Sequence, residues 1–316
     1  MQTKEPSGQS ASHPIEMPVK GWWSIAKRTY WQASEDNLGL IAAGVAFYGF
    51  LALVPMLGAL VLIFGLAFDP VEIVRQFGSI APSLPKEVAA LIGEQLDSLI
   101  ATSSGKKGLG LLVALSLALF GAMKGAGAVI IALNIAYEED EKRGFITRNV
   151  TTALVTIGAV FLMLMLVAAT SISHALETIL GSFSTVAASL IKMGGWAVAA
   201  MVTIAGLAAL YRYGPSRADA QWRWLTPGSL FATAGLLAAS SLFGWYAANF
   251  GNYNATYGSL GAVVVLLMWL YLSAYVLVLG AEFNAEIEHQ TAVDTTTGTA
   301  RPLGAREAAM ADQVAE

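Results

Sequence analysis

The sequence predicts an all-α fold: a polytopic membrane protein with a bundle of six transmembrane helices and an amphipathic helical extracytoplasmic segment between the first and second spans. Three observations carry this. Hydrophobic residues make up 56% of the 316 positions and charged residues only 13%, too few charges to cover a soluble body of this size. The charges are also spaced so that long stretches hold none, and an ionised group at the bilayer centre costs about 3 kcal/mol or more. Finally, cysteine is absent and histidine occurs three times, which excludes disulfides, thiolate metal sites and cysteine nucleophiles. No cofactor or metal is expected, and a net charge of -4 lacks the basic field that a nucleic-acid partner needs.

The spans follow from the uncharged intervals. The first covers 37–68, 32 residues without a charge, and Pro55 is expected to kink it. The second covers 109–135 and is interrupted only by Lys124; the third covers 149–173 and the fourth 193–212. From Trp224 to Ala281 there are 58 residues without a charge, too many for one crossing, so the stretch must fold back. The turn formers Gly251, Asn252 and Asn254 mark the reversal. They leave a fifth span near 226–250 and a sixth near 257–283. The membrane domain thus runs from 21 to 289, and the polar tails 1–20 and 290–316 are expected to be disordered.

An even number of spans puts both termini on one side. Twelve Lys and Arg residues then fall with the termini, five fall opposite and Lys124 lies within a span, so the positive-inside rule predicts cytoplasmic termini. No short apolar segment with a small-residue cleavage site precedes the first span, and none is expected to be removed. Trp22, Trp23, Tyr30 and Trp31 alternate with Lys27 and Arg28, the composition of an amphipathic helix or aromatic belt at the headgroup level. Between Pro85 and Ile100, Val88, Leu91, Ile92, Gln95, Leu96 and Leu99 repeat at helical spacing, which predicts the extracytoplasmic amphipathic helix.

Lys124 is the most informative single residue, about 16 Å from the inner end of its helix if Ile135 marks that end. Gly121 and Gly125 beside it lack bulk and allow another helix close. Two readings stand: a cation in a polar substrate pathway, or a lysine that snorkels or forms a structural ion pair. Glu282 is the expected counter-charge, with Asn134, Asn284 and Glu286 as polar groups at similar depth. Gly228, Ala232, Gly235 and Ala239 form a small-residue stripe that predicts close packing of the fifth span. His174 and Glu177 share a helix face and predict an outer-rim hydrogen bond more than a proton relay. The run Glu138-Glu139-Asp140-Glu141 reads as a solvated loop, since adjacent carboxylates lack calcium-loop spacing.

The chain resembles the YihY/BrkB family of six-span bacterial inner-membrane proteins, some of which were once labelled ribonuclease BN. The resemblance runs from about Trp22 to Glu288. Its most specific parts are the segment Asn254 to Gly261, which contains Gly258, the segment Leu266 to Ser273, and Gly280-Ala281-Glu282-Phe283-Asn284. Ala42 to Tyr48 with Pro55, Ala132 to Tyr137, and Tyr211 to Pro215 leading to Pro227 support it. Ala52 departs from the pattern, since many relatives carry Ser there, so a role for that hydroxyl does not extend to this chain. The resemblance implies a multi-pass protein of the bacterial inner membrane with membrane lipids as partners. It also implies transporter-like movement of a lipid or other amphipathic envelope molecule. A non-transporting scaffold that binds an envelope protein, or a homo-oligomer, is the alternative. Ribonuclease activity is not expected, because no carboxylate–histidine constellation is available to position a base or metal.

Overall fold

The computed structural model describes residues 8–67, 109–180, 185–250 and 261–315, together with isolated positions between 74 and 97. The expected extracytoplasmic helix at 85–100, the turn at 251–254 and Gly258 fall outside these continuous segments. Seven α-helices occupy the continuous described segments: α1 (Val19–Glu35), α2 (Leu38–Ala67), α3 (Leu109–Ala136), α4 (Phe145–Leu180), α5 (Thr185–Tyr213), α6 (Trp222–Phe250) and α7 (Gly261–His289). No strand occurs among them, only an isolated bridge between Ala220 and Thr296. Among the described residues five helices are long and apolar enough to cross a membrane, and α1 with the start of α2, bent by 67°, makes a sixth if the pair is one broken span.

Helix α1 lies ahead of the bundle because of its pattern. Gly21, Ile25, Thr29 and Ala33 are buried at intervals of four residues, while Trp23, Tyr30 and Trp31 are exposed. This is one stripe against the protein and an aromatic face turned outward. Asn37, with φ 53°, ends the helix in the left-handed region that Asn tolerates. Its side-chain amide donates to Glu35 O at 3.1 Å. There the chain turns into α2. Pro55 falls inside α2, where only the backbone is described.

Neighbours in sequence pack as neighbours in space. Helices α2 to α7 follow one another around a closed ring, with α7 returning to α2 and also touching α1, α3 and the C-terminal turn Ala309–Ala311. The densest core lies at the end that carries both termini, around Leu38, Leu133, Tyr137, Tyr211, Leu225 and Ala281. The Tyr211 hydroxyl donates to Leu277 O at 2.7 Å, so a large aromatic fills the centre without stranding its polar tip. The α4–α5 hairpin is the opposite case: 11% of each apolar window is buried, against 44% for α3. Its outward Leu154, Phe161, Leu190 and Trp196 match a lipid-facing wall.

Two expectations need correction. The tails are not disordered over 8–18 and 290–315. Thr291 Oγ1 donates to Ala11 O at 2.7 Å, Ala292 N to Gln9 O at 2.8 Å and Gln9 Nε2 to Ala315 O at 3.0 Å. The polar composition misleads because the order comes from bonds to main-chain carbonyls, which any residue carries. The buried guanidinium of Arg306 donates to Ala292 O and Ala311 O, both at 2.6 Å. Nor is the acidic run simply solvated. Glu139 is buried, accepting from Lys142 Nζ at 2.9 Å and Ala309 N at 2.7 Å. It thereby staples the tail to the end of α3.

Candidate functional site

The polar residues expected to line a pathway divide into two groups. Asn134 is engaged at both ends: its Oδ1 accepts from Ser216 N at 2.8 Å and its Nδ2 donates to Glu141 Oε2 at 3.2 Å. Glu141 also takes Arg143 Nε at 2.7 Å and Nη2 at 2.9 Å, and those hydrogen bonds hold its carboxyl down at about 2. Arg143 continues to Gly214 O at 2.9 Å. This chain of bonds joins the end of α3 to the α5–α6 link.

Asn284 is equally occupied. Pro227 lies inside α6 and removes a backbone donor from the helix. The Asn284 carboxamide brackets the break, accepting from Gly228 N at 2.7 Å and donating to Leu225 O at 3.1 Å. A methyl group at Gly228 would overlap Gly280 O and the same carboxamide, one at Gly235 would come within 2.7 Å of Val276, and one at Gly280 within 2.6 Å of Ala232. The small-residue stripe therefore brings α6 against α7 at backbone distance. Gly125 does the same for α3 and α2, where an added methyl would sit 3.1 Å from Ala52 Cβ. Gly121 is half-buried on α3, and Gly261 is buried at the start of α7.

Arg217 and Glu288 form the deepest ion pair, at 2.6 Å with both side chains almost inaccessible. The Thr295 hydroxyl adds a bond to Glu288 at 2.7 Å, and Arg217 lies 4.8 Å above the Tyr137 ring. Burial works against the guanidinium charge, but Glu288 beside it overrides this and holds Arg217 above its ordinary value.

Lys124 does not join Glu282. Its side chain is exposed, and no ion pair links the two among the described residues. Glu282 is fully buried on α7. The expected pair fails because linear spacing gives depth but not direction: Lys124 sits on the stripe Phe120, Lys124, Ala128, Ile131 and Ile135, which opens to one side of the bundle. That stripe forms one wall of a groove of about 600 Å³ between α2, α3 and the start of α4. Tyr48 and Val45 of α2 form the second wall, and Phe145, Arg148, Asn149 and Thr152 of α4 the third. Tyr48, Phe120, Ile131 and Phe145 are exposed along it, so the groove is open-sided. Lys124 Nζ lies 5.1 Å from the Phe120 ring centroid, a cation–π contact that leaves its three hydrogens available.

Arg148 is the residue that the sequence reading missed. It entered only as a cytoplasmic positive charge, yet it lies in the first turn of α4, where its backbone N–H donates to Gly144 O at 2.9 Å. Its exposed guanidinium makes no ion pair with a described residue. The available signal was the run Arg148, Asn149 and Thr152, a polar patch at i, i+1 and i+4 opening an otherwise apolar helix. One end of the groove thus combines a guanidinium with the positive end of a helix dipole, and an ammonium follows deeper in. His174 and Glu177, by contrast, make no bond to each other.

The family model described as virulence factor BrkB matches residues 29–303. The chain belongs to that family. Among its relatives, a ribonuclease-like protein, YfkH of Bacillus subtilis, is 36% identical over 173 residues, covering 53% of this chain and 62% of its own length. A UPF0761 membrane protein of Delftia acidovorans is 26% identical over 269 residues, or 84% of this chain and 62% of that protein. One from Methylibium petroleiphilum is 28% identical over 276 residues, with the same two shares of 84% and 62%. The chain spans about three-fifths of the length of these curated relatives. No solved structure matches it. The chain is thus a multi-pass membrane protein of the BrkB/UPF0761 family, with Lys124, Arg148 and the α6–α7 contact all inside the matched region.

Proposed function

We propose that this protein moves an anionic amphipathic lipid of the cell envelope along the groove between α2, α3 and α4, without acting as an enzyme. It does so in the bacterial inner membrane, with both termini cytoplasmic. The observation that supports this reading is the pair of cations, Lys124 and Arg148, lining one open-sided apolar groove without a carboxylate partner among the described residues. An unpaired cation at membrane depth is costly, and an anionic headgroup that travels with its acyl chains supplies the counter-charge while the apolar walls receive the chains. Arg148 and the α4 N-terminus receive the headgroup at the cytoplasmic side, and Lys124 takes it inward. The excess of Lys and Arg around the termini supports the orientation.

Reconstitution tests it. Purified protein in liposomes is expected to accelerate headgroup movement of a labelled anionic lipid relative to a zwitterionic one. Lys124→Gln should slow it about tenfold, since a charge-assisted contact contributes about 1.5–3 kcal/mol. No acceleration with any envelope lipid, together with a stable co-purifying protein, would replace this reading with a membrane scaffold.

A further inference from the structure

Glu282 lies apart from the groove and presents a different problem. It is fully buried, and neither carboxylate oxygen has a hydrogen-bond partner. The next carboxylates on the same helix are treated otherwise: Glu286 takes Arg28 Nε at 2.5 Å, and Glu288 takes Arg217 Nη2 at 2.6 Å. Among the ionisable groups that act on Glu282 are Asp36 in the α1–α2 link, Glu286 on its own helix and Glu138 just beyond α3, each of like charge, and Tyr137 interacts electrostatically with it too. Tyr137, at the end of α3, also has its buried hydroxyl unpartnered, and Arg28, beside Glu286, is committed to Glu286 and Gln290. An ionised carboxylate in such surroundings would carry an uncompensated buried charge. A metal ion does not resolve this, because no cluster of three ligating side chains occurs among the described residues. A proton needs no cage.

We propose that Glu282 is a proton-binding site, neutral while the bundle is closed and ionised only when water reaches it. On release the carboxyl O–H bond breaks, the proton passes to water and the carboxylate remains hydrated. The place where water enters is indicated by Asp36. It caps α1 at the 67° bend and has a buried oxygen without a partner. An ionised Glu282 repels Asp36 and Glu138, so proton release and opening of the bend favour one another. A proton gradient could then do work on this chain whatever the cargo is.

Infrared spectroscopy of the reconstituted full chain tests the site directly. The wild type at neutral pH should show the carbonyl stretch of a buried protonated carboxylic acid, with an isotope shift in D2O, and Glu282→Gln should lose that band. Because the amide replaces a neutral acid, Glu282→Gln should melt at or above the wild-type temperature, and the gap should widen as pH rises and the wild type ionises. Glu282→Asp should keep a shifted band, which covers a glutamine variant that fails to fold. Absence of a band that depends on Glu282 would overturn the proposal. So would a rise in wild-type melting temperature with sodium at constant ionic strength that Glu282→Gln abolishes, which would make this a metal-cation site.

Discussion

Two regions of the molecule handle charge in opposite ways. At the end that carries both termini, Arg28, Arg143, Arg217 and Lys142 each meet a carboxylate within 3 Å, and Arg306 is wrapped in main-chain carbonyls. In the groove between α2, α3 and α4, Lys124 meets an aromatic ring and Arg148 is exposed, neither with a carboxylate among the described residues. Paired charges hold helices and tails together, so their loss should appear in stability. The groove cations contribute little to the fold, Lys124 through one cation–π contact, so their loss should appear mainly in what the protein binds. Lys124 and Arg217 are both cations of a membrane protein, but only the second is explained by its own fold.

The largest effect is expected at the buried pair. Arg217→Met alone strands Glu288 in the interior and should cost about 3–5 kcal/mol, seen as loss of the folded species in detergent, while Arg217→Met with Glu288→Leu should recover much of it. A single variant as stable as the wild type would break the contrast with the groove. Next comes the helix contact. Gly228→Val pushes against Gly280 O and the Asn284 carboxamide and should cost about 1–3 kcal/mol in a thermal or denaturant melt.

A pH-dependent effect is expected at Glu141, whose carboxyl is held at about 2 by Arg143 against a usual value of 4.5. A lowered carboxylate contributes stability above its unfolded value and loses it as pH falls through the folded one. The melting difference between the wild type and Glu141→Gln should therefore be full above 4.5 and close towards about 2. A difference that stays constant across that window would remove Glu141 from the clamp.

Much of the fold was legible because hydrocarbon excludes charge. The uncharged intervals pointed to the apolar stretches in which α2 to α7 lie, with Lys124 interrupting the second and turn formers dividing the last. The aromatic and basic residues at 22–31 left an amphipathic helix and an aromatic belt both open. Helix ends were less legible. The interval 149–173 marks what can sit in hydrocarbon, whereas α4 runs from Phe145 to Leu180, because Arg148 and Glu177 near its ends can reach water without ending the helix. The order of the tail was invisible, since Arg306 acts through carbonyls that any residue carries. The site was half legible: the depth of Lys124 follows from counting residues, but which helix it meets depends on the rotation of α3. That rotation turned it into the groove that Arg148 of α4 also lines, and not towards Glu282 of α7.

The central claim is that the unpaired groove cations exist for an anionic lipid and not for the fold. Native mass spectrometry of the detergent-purified protein, for the wild type and Lys124→Gln with Arg148→Gln, measures this most directly. The account predicts an anionic lipid retained by the wild type and lost from the double variant, with melting temperatures that differ by no more than about 0.5 kcal/mol implies. Equal lipid retention by both proteins, or a double variant that loses lipid only because it has unfolded, would contradict it.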